Sequence, residues 1–137
     1  RGGARVTTTP DPRPRVVHRD GTIEVTGTRC TSCRHPSLWS PPRCPNCGGT
    51  LLPASFGPTG TVWSSTVVRV PVPGRTPPYA LAYVDLHDGP RVLVHVEVAA
   101  SADPAGPSDA IVSRLKPGTA VVVRGSTADG DVLVGLP

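Results

Sequence analysis

The 137-residue chain has no methionine, one lysine and only five aromatic residues, two Trp, two Tyr and one Phe. With so few rings available, the core has to be made of Val, Leu and Ala. No apolar run approaches the length of about eighteen residues that a membrane span needs, and no apolar stretch follows a basic N-terminal one. Neither a span nor a signal peptide is visible, so the chain reads as soluble and cytoplasmic, where thiols stay reduced. Also missing are internal repeats, a P-loop, a dinucleotide-binding fingerprint and a nucleophile elbow. The opening "RGGARV", without an initiator Met, reads as a piece of a longer polypeptide or a chain lacking its first residues.

All four cysteines lie within "CTSCRHPSLWSPPRCPNCGG", as two C-x-x-C pairs: Cys30 with Cys33, and Cys44 with Cys47. Pairs this tight make a poor disulfide framework. Each instead forms a knuckle that offers two thiolates to one ion, with backbone N–H groups free to hydrogen-bond the sulfurs. Zinc is the expected ion, because four thiolates in a tetrahedral site suit it and it has no redox chemistry; iron, as in a rubredoxin-like electron carrier, is the competing occupant. Four protein ligands leave no open position, so the metal is structural. Gly48 supplies a permissive backbone after the last ligand, and His35 reads as a polar loop residue between the knuckles.

Charge is unevenly distributed. Residues 1–47 carry eight Arg against Asp11, Asp20 and Glu24, whereas residues 48–137 carry five Arg and Lys116 against seven acidic residues. The basic excess belongs to the N-terminal part, and a nucleic-acid-binding barrel would want it on the barrel too.

Residues 1–27 read as a Pro- and Arg-rich arm followed by a short hairpin around Asp20-Gly21. A zinc ribbon is expected over 28–56. From 57 to 137 the pattern turns β-branched with period two, giving five strands at 59–70, 79–87, 91–98, 119–125 and 131–137. One short helix is expected in "PSDAIVSRLKPG", capped by Ser108, with Ile111, Val112 and Leu115 on its apolar side. The predicted class is mainly β: a rubredoxin-like zinc ribbon followed by a five-stranded OB-fold barrel with one helix between the third and fourth strands.

Alternation places Ala80, Ala82, Val84, Leu86, Val92, Val94, Val96 and Val98 inside the barrel. Tyr79, Leu81, Tyr83, Asp85 and His87 then share the outer face with Arg91, Leu93, His95 and Glu97. Tyr79, Leu81, Tyr83 and Leu93 should form one apolar patch, a candidate partner interface. In a nucleic-acid-binding OB-fold this face would stack bases, but Asp85 and Glu97 would repel phosphate.

The order of motifs, C-x-x-C, "PPRCPNCGG", "GPTG" opening "GTVWSSTVV", "PPYALAYVDLHDGPRVLVHV" and "RLKPGTAVVV", resembles the ribbon-plus-OB family of acyl-CoA-associated proteins, formerly the domain of unknown function numbered thirty-five. The likeness runs from about Cys30 to Val123. Family members usually begin with a helix or helical hairpin, whereas "VVHRDGTIEVTGTRC" is strand-like here, so no contact made through such helices is carried over. The resemblance implies a small non-catalytic partner of a thiolase-like enzyme of the lipid-transfer-protein type that makes or breaks carbon–carbon bonds in acyl-CoA thioesters. It also implies that a MaoC-type hydratase can be fused or adjacent. One branch serves retro-aldol cleavage of steroid side chains.

Independent catalysis has little support in the residues themselves. The metal claims every cysteine, leaving no thiolase-type nucleophile; Asp85, His87 and His95 lie close on one face as an acid/base group, but His87 next to the Asp88-Gly89 turn reads as a solvated strand end.

Overall fold

The Asp20-Gly21 turn takes positive φ at both positions, 49° and 80°, as a type I′ hairpin turn requires. It joins β1 (Val16–Arg19) to β2 (Thr22–Cys30) in antiparallel register, with Val16 opposite Val25 and Arg19 opposite Thr22. The computed structural model describes residues 11–98 and 106–137; residues 1–10 of the expected arm lie outside the described residues. β2 continues from the hairpin into the ribbon, where it pairs with β3 (Pro36–Ser37) and with β4 (Leu51–Phe56). The strand-like reading of the segment before the first cysteine is therefore correct.

β5 (Thr59–Val68), β6 (Tyr79–Leu86), β7 (Arg91–Val96), β8 (Ala120–Ser126) and β9 (Val132–Gly135) close a barrel in the order β5-β6-β7-β9-β8. β7 and β9 are the parallel pair; the others are antiparallel. This is the OB topology expected from the strand and helix order. Several strands end earlier than the alternation suggests. β5 stops at Val68, because the chain leaves for a turn bridged from Val72 to Arg75, and the His87 N–H turns to the Thr59 carbonyl.

Helix α1 (Pro107–Arg114) corrects the expected cap. Gly106 is the N-cap, Pro107 opens the first turn with its fixed φ, and no side chain caps the helix. Ser108 lies inside the first turn, buried, and its hydroxyl donates to the Pro78 carbonyl at 3.3 Å. Leu115, 1% exposed, follows α1 and joins the core of the barrel, and its carbonyl accepts from the Ser65 hydroxyl at 3.0 Å.

The interior is the small-apolar set that alternation selects, with Val62, Val121, Val123, Val132 and Val134 added and Val98 packed at its margin. Val25 and Phe56 of the hairpin and ribbon belong to the same core as the barrel. Phe56 sits between Gly27 and Gly89, and a Cβ at Gly89 would fall 2.8 Å from its ring. Among the described residues no helix is long and apolar enough to cross a membrane.

Candidate metal centre and outer barrel face

The two C-x-x-C segments fold as matching knuckles. The Cys30 carbonyl accepts from Arg34 N–H at 3.1 Å and the Cys44 carbonyl from Gly48 N–H at 2.9 Å; the Cys30 and Cys44 N–H groups donate to the carbonyls of His35 and Gly49. Each knuckle turns through a left-handed residue, Arg34 at φ 63° and Gly48 at φ 77°, which only glycine adopts at no steric cost. Gly49 has a different reason to lack a side chain: its Cβ would lie 3.0 Å from the Cys30 sulfur and 3.2 Å from that of Cys47.

This geometry brings the Sγ atoms of Cys30, Cys33, Cys44 and Cys47 within 4.8 Å of one another. Cys30 and Cys47 sulfurs are 3.5 Å apart, and those of Cys33 and Cys44 are 3.6 Å apart. Backbone N–H groups of Cys33 and Ser32 point at the Cys30 sulfur, and that of Asn46 at Cys44, each at 3.4 Å, while the Asn46 amide donates to Cys33 at 3.5 Å. The Cys33 N–H, followed by that of Ser32, pulls the Cys30 pKa down to about 6. The Asn46 amide and then the His35 N–H lower that of Cys33. Gly49 N–H also favours a Cys47 thiolate, but the neighbouring sulfurs outweigh it and hold Cys47 up to about 12. Cys30 and Cys33 are thus favoured as thiolates, whereas Cys47 beside them resists ionising unless a cation is present. Four cysteines this close can hold one metal ion and leave it no open position. His35 is not part of the group.

On the barrel, Tyr79, Leu81 and Tyr83 project from β6 beside Leu93 of β7, with Tyr83 directly opposite Leu93 and Leu81 opposite His95. Tyr83 and Leu93 are half exposed, while Tyr79 and Leu81 are partly covered. Sequence reasoning missed Trp63, 51% exposed. It occupies a bulge in β5 between Val62 and Ser64 and meets Tyr83 edge to face at 5.9 Å. Its position next to the buried Val62 was the available signal. The Arg91 guanidinium lies 4.1 Å over the Trp63 ring and is fixed by two bonds to Asp85 at 2.7 and 3.1 Å. That pairing lowers the Asp85 pKa and raises that of Arg91.

At the other end of the face, Tyr79 stacks at a tilt on His95, and Arg75 reaches His95 Nδ1 at 3.3 Å, Asp129 at 3.7 Å and Asp131. Arg75 and Asp131 belong to different loops, 56 residues apart, and nothing in the sequence pairs them. The imagined acid/base group is not assembled: Asp85 is bound to Arg91, His95 faces Arg75 and Asp131, and His87 is exposed.

The family model described as ChsH2, C-terminal OB-fold domain, matches residues 55–126, more than half of the chain. A solved structure titled "Ltp2-ChsH2(DUF35) aldolase" is similar at a TM-score of 0.58 and 25% sequence identity, over 82% of this chain and 84% of that one. No curated protein matches significantly. With its closed five-stranded barrel, its cysteine cluster and a family match over most of the barrel, the chain belongs to the DUF35 family of the ChsH2 C-terminal OB-fold domain.

Proposed function

We propose that this chain is a non-catalytic accessory module that binds and stabilises a thiolase-like enzyme of the lipid-transfer-protein type acting on acyl-CoA thioesters. The observation that carries the reading is the likeness, over most of both chains, to a protein titled as an aldolase of Ltp2 and ChsH2. In this reading the partner binds the acyl-CoA and performs the carbon–carbon chemistry, retro-aldol cleavage of a steroid side chain being the reaction class the family suggests, with a MaoC-type hydratase fused or adjacent. Residues 28–56 form the ribbon and 57–137 the barrel. Cys30, Cys33, Cys44 and Cys47 hold a structural zinc, which a closed four-thiolate set suits. Tyr79, Leu81, Tyr83 and Leu93 form the partner interface.

The rival reading, a nucleic-acid-binding OB module, would use the same face. It is disfavoured because Arg91 and Arg75 there are already paired with Asp85 and with Asp129 and Asp131, leaving little positive charge for phosphate.

The test is co-expression with the genes that neighbour this one on the chromosome, among which a thiolase-like enzyme is expected. The module should co-purify with it and raise its solubility or activity. Leu81→Asp, which leaves the interior residues Ala82 and Val84 untouched, should keep its metal and lose the partner. A wild-type chain that does not co-purify would overturn the proposal.

A further inference from the structure

Building on the accessory-module reading, we infer that the outer face docks an uncharged, apolar segment of the partner enzyme, one large side chain of which seats in the hollow beside Trp63. Between β5 and the β6–β7 pair lies an open hollow of about 300 Å³, lined by Ser64, Ser65, Thr66, Leu81, Tyr83 and Leu93. Its walls are almost wholly apolar, in part because the Ser65 hydroxyl is turned away to the Leu115 carbonyl. It sits at the lower limit of small-ligand pockets, roughly 300 Å³, and lacks the enclosure they provide. A side chain of another protein, covered by the rest of that protein, fits such a hollow better than a free ligand does.

Two large side chains line it with about half of their surface in water, Tyr83 and Leu93 at 44% and 50%, and Trp63, 51% exposed, adjoins it through its edge-to-face contact with Tyr83. Trp63 is also held in place before any partner arrives, with Arg91 on its face, Tyr83 at its edge and Asp85 fixing Arg91. A pre-ordered tryptophan loses little freedom on binding, which is the property of an interface anchor.

Charge selects the occupant. Around the hollow, Arg91 is paired with Asp85 and Arg75 with Asp129 and Asp131. A carboxylate, phosphate or ammonium brought onto this face would lose hydration and find Arg91, Asp85, Arg75 and Asp131 already engaged with one another. What remains is side-chain contact with an apolar, uncharged surface.

The experiment measures affinity between purified chain and purified thiolase-like enzyme by biolayer interferometry, with zinc content and circular dichroism as fold controls. Trp63→Ala should weaken binding about 30-fold or more, the size of an anchor residue. Ser64→Trp, which fills the hollow from an exposed position, should do the same, and Thr66→Trp repeats the test if the bulge is disturbed. Leu52→Ala, on the exposed surface of the ribbon, should change affinity less than about twofold. Affinity should vary less than about threefold between roughly 50 and 500 mM salt. Wild-type affinity in Trp63→Ala, Ser64→Trp and Thr66→Trp would overturn the inference and leave the module reading intact. Absence of any wild-type complex would overturn both. A steep fall with salt would overturn the uncharged partner surface. A dimer of the chain alone that Trp63→Ala abolishes would assign the face to a second copy and overturn the inference.

Discussion

Replacing Phe56 by Ala should unfold the metal ribbon and the barrel together. Phe56 is 2% exposed, stands at the end of β4 and belongs to the core that contains the barrel valines. It is packed from both sides at positions that admit no side chain: a Cβ at Gly27 would lie 2.9 Å from its ring and one at Gly89 2.8 Å. The Arg29 guanidinium lies 5.4 Å from the ring centroid. Truncation of a buried phenylalanine costs about 3 to 5 kcal/mol, more where the walls cannot collapse. Here the walls are backbone, so we expect about 4 kcal/mol, to which the lost Arg29 contact adds under about 1 kcal/mol. For a chain of this size each kcal/mol moves Tm by about 3 to 4 °C, so the melting temperature should drop by roughly 12 to 16 °C. The assay is a thermal melt followed in parallel by circular dichroism, which reads the barrel, and by a chromogenic zinc chelator, which reads the ribbon. Both signals should shift together in one transition. A barrel that melts at the wild-type temperature while metal escapes earlier would refute the shared core.

Three further outcomes follow from the two sites. The protein should bind about one zinc per chain and be colourless; Cys44→Ser should release the metal and unfold the ribbon, since metal affinity here is also folding free energy, and a red protein with strong thiolate-to-iron absorption would refute the zinc assignment. Burial and then Arg75 lower the His95 pKa below its usual 6.5, against the opposing pull of Asp131 and Asp129. The unfolded chain therefore takes up that proton first, so stability is full above about pH 6.5 and declines as pH falls toward the folded-state value; urea melts of His95→Gln should lack this component of the pH dependence, and an unaltered profile would refute it. Binding to single-stranded DNA, measured by fluorescence anisotropy, should be weak at physiological salt and depend on the arm; tight binding that survives deletion of residues 1–15 would contradict the accessory-module proposal.

Much of the molecule is local in origin, and that part could be read from the chain. Two C-x-x-C pairs define their own knuckles because each closes within five residues, and Asp20-Gly21 defines its hairpin because positive φ is a property of the turn itself. Alternation over 79–86 and 91–96 picked the barrel interior, because a strand has only two faces and only one of them was uniformly small and apolar. The start of α1 was misplaced for an equally local reason: Gly106 and Pro107 open a helix without a side-chain cap, and Ser108 looked like one. The tertiary structure alone decided how the pieces combine. Closure of the barrel set Arg75 against Asp131 across 56 residues, and docking of the ribbon placed Phe56 against Gly89. The bulge at Trp63 brought its ring between Tyr83 and Arg91. These contacts join loops and strands whose separation in sequence carries no periodic signal, so only packing could reveal the anchored aromatic face and its paired charges.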